Sequence, residues 1–308
     1  MNSLAFVFPG QGSQSVGMLS DFIEVYPKAK VLLEQASSIF SLDYQKLLLE
    51  GPIEALNLTT NTQPAVLIAD TIIWEYWCEH SKKRPSIIAG HSLGEYSALV
   101  AADVLSFEEA LNLVHKRAQF MQEAVPKGVG AMAAIIGLSA NEVEAICAEA
   151  ASETKEVMAA NLNSPGQIVI SGYAEGVAKA MEFAKAKGAK LAKMLPVSVP
   201  SHSTLMHSAA EKFKPILDNA VFNVPSIDVI NNVDVAIEKD PAKIKEALLK
   251  QLYSPVRWIE TIEKMASMGV KDIHECGPGK VLTGMNKRID RSLVNTPIGS
   301  IESIDNLD

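Results

Sequence analysis

A serine flanked by glycine on both sides at a spacing of two, Gly90-His91-Ser92-Leu93-Gly94, follows a short apolar run, Ser86 to Ala89, and precedes small residues running to Ala102. Strand, sharp turn, helix is the setting of a nucleophile elbow. The turn forces the serine into a strained conformation that lifts its hydroxyl above the sheet, and glycines flank it because strand and helix crowd there. The helix N-terminus also favours negative charge developing nearby. Alone the pattern is weak: at about 7% usage of each residue type, roughly 0.1 chance matches fall in a chain of this length. The strand–turn–helix setting separates it from a tight structural turn with an incidental serine.

Acyl transfer from such a serine needs two further parts. A tetrahedral oxyanion needs preorganised N–H donors, one of them the backbone N–H of the residue after the nucleophile, Leu93. The second is expected from a loop at the same sheet edge, and Gly10-Gln11-Gly12 is the best candidate. The hydroxyl also needs a base, usually histidine. Of six histidines, His91 should point away from its neighbour, His80 lies among charges, and His115 sits off the apolar stripe of its helix. His202, His207 and His274 remain, with the loop position of His202 giving it a slight advantage. Asp103 is the only aspartate between Ser92 and His202, and it closes the nucleophile helix, a poor place for a triad acid. Arg117 lies at the edge of an apolar helix stripe. It either snorkels to solvent, the default reading, or offers a planar fork to a carboxylate in a cleft.

The elements that must hold these groups alternate along the chain. Leu4 to Phe8 reads as a first strand that stops at Pro9-Gly10. Tyr26 to Phe40 and Pro64 to Glu79 read as helices, the second with proline at its start. Ser106 with Glu109 forms a capping-box pattern for a helix carrying Phe107, Leu111, Val114, Ala118 and Met121 on one face. After Pro126 the pattern becomes β-α-β-β-α-β, the ferredoxin-like order. The expected organisation is therefore α/β: a hydrolase-like parallel-sheet core from residues 1–127 and 198–308, with an inserted ferredoxin-like domain over 128–197. Ile227 to Ile230 and Lys271 to Cys276 read as later core strands, Pro241 to Leu252 and Trp258 to Met268 as helices. A last helix runs to Ile289, and the tail beyond Leu293 is expected to be poorly packed.

Composition narrows the function classes. A formal net charge of −8 argues against an extended nucleic-acid footprint. Mean hydropathy is +0.12, yet no stretch approaches the roughly 20 apolar residues of a membrane span. The start lacks the basic region of a signal peptide. Cys78, Cys147 and Cys276 are far apart and odd in number, which fits neither a disulfide framework nor a metal site and points to a reducing cytoplasm.

Taken together, the motifs resemble the malonyl-CoA:acyl-carrier-protein transacylase family of bacterial fatty-acid synthesis. The likeness rests on Phe8-Pro9-Gly10-Gln11-Gly12-Ser13-Gln14, Thr62-Gln63-Pro64-Ala65, Ala89-Gly90-His91-Ser92-Leu93-Gly94-Glu95-Tyr96 and Arg117 with Met121. It continues through Asn163-Ser164-Pro165-Gly166-Gln167, Pro200-Ser201-His202, Asn231-Asn232-Val233-Asp234 and Gly277-Pro278-Gly279-Lys280-Val281-Leu282. The resemblance implies a ping-pong transfer. Ser92 would attack malonyl-CoA with His202 as base, Gln11 and Leu93 would supply oxyanion N–H groups, and Arg117 would hold the malonyl carboxylate. Gln251 matches the position whose backbone carbonyl orients the histidine, in place of a triad acid. Implied substrates are malonyl-CoA and the phosphopantetheine thiol of acidic acyl carrier protein, with no cofactor, no metal and a monomeric enzyme. Carrier docking would fall on a local basic patch, for which Lys187, Lys190, Lys193, Lys287 and Arg288 are candidates, although solvated surface lysine is the default for each. Two other readings stand beside it: a serine esterase using Ser92, Asp234 and His274, and a carrier-protein scaffold without catalysis.

Overall fold

The computed structural model describes residues 3–197 and 199–307; Met1, Asn2, Ser198 and Asp308 lie outside the described residues, Ser198 being the residue where the large domain was expected to resume. The molecule is α/β and built on two sheets. Strands β1 (Leu4–Phe8), β2 (Ile87–Gly90), β7 (Asp228–Ile230), β8 (Asp272–Glu275) and β9 (Val294–Pro297) form an all-parallel sheet in the order β7-β2-β1-β8-β9. Strands β3 (Gly130–Ile136), β4 (Val157–Ser164), β5 (Gln167–Tyr173) and β6 (Leu191–Met194) form an antiparallel sheet in the order β4-β5-β3-β6. With helices Ala140–Glu153 and Ala174–Ala186 between them, this is the ferredoxin-like arrangement.

Every residue of β1 and β2 is buried, as a parallel sheet covered on both faces requires. The helix Thr59–His80 lies against this sheet and is apolar nearly all round, so it buries most of its length. Phe6 meets Trp74 and Trp77 edge-on at 5.4 and 5.1 Å. This helix starts five residues before the expected Pro64. Pro64 forfeits only the one backbone bond to Thr60 that a proline there must lose, and the Thr62 hydroxyl ties the first turn down by donating to the Leu56 and Leu58 carbonyls.

The antiparallel sheet is docked by its β4 edge. Leu162 N–H donates to the Val256 carbonyl and Val256 N–H to the Ala160 carbonyl, both at 2.9 Å. A cleft is left between the two sheets. One expectation fails at the C-terminus: the tail is well packed. Strand β9 extends the sheet from β8, Ile298 and Ile304 are fully buried, and the Ile301 N–H donates to Asp21. Its apolar residues are too few and too scattered to announce themselves in sequence, but the open edge of β8 gives them a place to bury.

Candidate active site

Strands β1 and β2 are neighbours and parallel, so the loops leaving their C-terminal ends meet. These are the Gly10-Gln11 loop and the elbow, at the sheet edge where open α/β folds bind ligands. The approach demands glycine. A Cβ on Gly90 would lie 1.9 Å from the Gly94 carbonyl, one on Gly94 2.1 Å from the Phe8 carbonyl oxygen, and one on Gly10 2.5 Å from that of His91. Ser92 itself has φ 54°, a left-handed conformation that costs an ordinary residue about 1–2 kcal/mol. It is held there by Asn232, whose Oδ1 accepts the Ser92 N–H at 2.7 Å while its Nδ2 donates to the Gly90 carbonyl at 2.6 Å.

The Ser92 Oγ lies 2.7 Å from His202 Nε2. His202 Nδ1 donates to the Gln251 backbone carbonyl at 2.7 Å, which fixes the tautomer and leaves Nε2 free to accept the serine proton. Burial, helped by the nearby Arg117 charge, lowers the His202 pKa to about 3, so the imidazole is a neutral acceptor at physiological pH. His202 also has a positive φ of 60°, with its N–H donating to the Leu252 carbonyl at 3.0 Å.

Arg117 faces the cleft and not solvent; it is 2% exposed. Its NH1 donates to Gln63 Oε1 at 2.8 Å, and its NH2 donates to Gln251 Oε1 at 2.9 Å and to Ser92 Oγ at 3.3 Å. The snorkelling reading fails because helix Phe107–Glu123 packs that edge against helix Thr59–His80 and the elbow helix Gly94–Ala101. Gln11 and Leu93 line the same cleft of about 200 Å³. Neither of their backbone N–H groups donates to a protein acceptor among the described residues. The rest of the lining is largely apolar, with Met121, Met132, Val169, Leu195, Val197 and Met285. Asn161 and Asn163 enter from β4.

The remaining histidines are accounted for elsewhere. His274 packs with Phe6 and Trp77 at 5.3 and 5.2 Å, and its pKa falls to about 4 through burial; it is a core residue, not a partner of Ser92. His207 stacks on Tyr253, His115 on Phe40 and His80 on Tyr76. His91 turns away from the nucleophile and meets Asn163 Oδ1 at 2.8 Å, tying the elbow to the small sheet. Asp103 accepts from the Ser226 hydroxyl, outside the site. Among the described residues no group of three His, Cys, Asp or Glu side chains could hold a metal ion.

Four participants carried no sequence signal of their own: Gln63, Glu95, Asn232 and the Gln251 side chain. Gln63, Glu95 and Asn232 stand inside motifs named above and Gln251 does not, but the partners of all four side chains lie more than 50 positions away in the chain.

Comparison with known proteins identifies the family. The acyl transferase domain family matches residues 5–289. The malonyl CoA-acyl carrier protein transacylase of Escherichia coli O157:H7 is 51% identical over 289 residues, covering 94% of this chain and 93% of that protein. The structure of the malonyl CoA-acyl carrier protein transacylase from Coxiella burnetii superposes with a TM-score of 0.97 at 48% identity, covering 99% of this chain and 96% of that one. A malonyl-transacylase solved in complex with a type II PKS acyl-carrier protein has a TM-score of 0.96 at 47% identity, with 98% of each chain covered.

Proposed function

The chain belongs to the acyl transferase family, as one of its malonyl-CoA:acyl-carrier-protein transacylases, and from that premise we propose that it works by a ping-pong mechanism through a malonyl-Ser92 ester, supplying the extender unit for fatty-acid synthesis. Ser92 Oγ gives its proton to His202 Nε2 and attacks the thioester carbon of malonyl-CoA. The Gln11 and Leu93 N–H groups receive the oxyanion. Its collapse breaks the carbon–sulfur bond, and the coenzyme A sulfur leaves with the proton from His202. The phosphopantetheine thiol of acyl carrier protein then gives its proton to His202 and attacks the ester carbonyl. Ser92 Oγ leaves and recovers that proton. The Gln251 carbonyl stabilises the imidazolium formed in each half-reaction, the part a triad carboxylate plays elsewhere. Arg117 holds the malonyl carboxylate throughout.

The observation that carries this reading is the single oxygen, Ser92 Oγ, lying within reach of both an oriented imidazole and a buried guanidinium. The acidic carrier would dock on a local basic patch near the cleft. Lys193, on β6 beside the lining residue Leu195, and Lys287, on the helix that contributes Met285, are exposed there; Lys187 is paired with Glu149 and Arg288 bonds Gln167. The proposed setting is a cytoplasmic monomer with no cofactor besides its two substrates. Three free cysteines fit a reducing compartment, and no described helix is long and apolar enough to cross a membrane. Intact-mass analysis tests the chemistry. Malonyl-CoA should add one malonyl group, holo-carrier protein should discharge it, and Ser92→Ala should never carry it. An adduct that survives Ser92→Ala, or that the carrier does not discharge, overturns the mechanism.

A further inference from the structure

Glu95 follows Gly94 in the first turn of the elbow helix and is 2% exposed, yet it is not within reach of the nucleophile's hydroxyl. One of its oxygens, Oε2, accepts two bonds: from Gln251 Nε2 at 2.8 Å and from the Asn232 backbone N–H at 3.1 Å. The other end of the Gln251 amide, Oε1, accepts from Arg117 NH2 at 2.9 Å, and Gln251 Nε2 also donates to the Ser92 carbonyl at 3.0 Å. Glu95, Gln251, Asn232 and Arg117 are all buried, so a hydrogen bond lost among them is not made good by solvent.

A side-chain amide is symmetric in shape and asymmetric in chemistry. Arginine only donates, so Arg117 requires the oxygen end of Gln251. Turned over, the amide would set NH₂ against guanidinium on one side and oxygen against carboxylate and carbonyl on the other. Glu95 Oε2 and the Ser92 carbonyl disfavour that reversal, since both accept from the NH₂ end and would otherwise face an oxygen. The second bond of Glu95 reaches Asn232, which clamps the strained backbone of Ser92. We propose that Glu95 is a positioning residue for acyl transfer, orienting Arg117 through the Gln251 amide and holding it in register with Ser92 through Asn232. This rests on the malonyl-transfer reading and says which buried acid sets its carboxylate selectivity.

Burial pushes the Glu95 pKa up to about 7, against the opposing pull of Gln251, Asn232 and Arg117. A geometric role does not depend on its charge state, because Oε2 accepts in either. Glutamine at this position keeps an acceptor oxygen of the same reach; alanine removes it.

The test is the ratio of kcat/KM for malonyl-CoA to that for acetyl-CoA, measured on the full chain. The ratio is independent of the fraction of protein that is folded. Glu95→Ala should lower it roughly tenfold or more, the effect of loosening a hydrogen bond to a charged group, and Glu95→Gln should recover most of that loss. Gln251→Met removes the amide and keeps the backbone carbonyl that holds His202. It should lower the ratio similarly, and the double variant should fall no further, because residues acting in one network are not additive. If Glu95→Ala does not fold, Glu95→Gln and Gln251→Met carry the test: the first should retain selectivity and the second lose it. A wild-type ratio in Glu95→Ala or in Gln251→Met, or additive losses, would overturn the assignment. A wild-type protein that does not favour malonyl-CoA would overturn the transfer reading itself, together with this inference.

Discussion

Replacing Arg117 with alanine isolates the origin of malonyl selectivity. The guanidinium has five N–H donors, and three bonds to protein commit part of them: NH1 to Gln63, and NH2 to Gln251 and Ser92 Oγ. Its Nε is buried without a protein partner among the described residues. The second NH1 hydrogen and the NH2 hydrogen now on Ser92 Oγ are left for a malonyl carboxylate without breaking the Gln63 and Gln251 contacts. A hydrogen bond to a charged group contributes about 1.5–3 kcal/mol, so its loss should cost roughly 10- to 150-fold in kcat/KM for malonyl-CoA. Acetyl-CoA is the internal control, because it shares the elbow, base and oxyanion donors and lacks the carboxylate. The assay is initial-rate release of coenzyme A with each thioester and saturating holo-carrier protein. The malonyl-to-acetyl ratio should fall by the stated factor. An unchanged ratio, or an equal fall for both substrates, would refute Arg117 as the carboxylate anchor and leave it a structural cation.

Other outcomes follow from the same geometry. His202→Ala should lower acylation by about 10²–10⁴-fold, the usual contribution of a positioned base; near-normal rates, read as burst-phase coenzyme A release, would reopen an alternative base. Because the folded His202 pKa is about 3, acylation by acetyl-CoA should show no limb at the ordinary histidine value of about 6.5, and a limb there in single-turnover kinetics would contradict a neutral, buried imidazole. The same depression has a stability consequence of definite sign. The unfolded chain binds the extra proton between the two pKa values, so this contribution is present above pH about 6.5 and is lost as pH falls towards 3; a His202→Ala variant should show a weaker acid dependence of urea midpoint over that window. Ile304→Ala should destabilise the protein by about 2–5 kcal/mol, as for other fully buried large-to-small changes, and no shift in urea denaturation would mean that the C-terminal helix does not pack in solution as described.

The sequence alone carried the elements whose signals are local. Leu4–Phe8, the glycine-bracketed serine and the Ser106-capped helix were legible because strand propensity, crowding at a turn and capping are decided within a few residues. The β-α-β-β-α-β order also identified the small sheet, since alternating periodicity survives even where element ends shift by up to three residues, as at Met194. Tertiary structure decided everything that depends on which distant segments meet. Local rules left three histidines open as the base and favoured solvent for Arg117. The cleft chose His202 because Gln251, 49 positions on, presents its carbonyl to the imidazole. It turned Arg117 inward because Gln63 and Gln251 accept its donors. The tail beyond Leu293 packs for the same kind of reason: the open edge of β8 and a buried niche for Ile304 exist only once the chain has folded. Periodicity and turn chemistry are properties of neighbours in sequence. The matching of buried donors and acceptors is a property of neighbours in space, and it is this matching that sets the geometry on which the proposed chemistry rests.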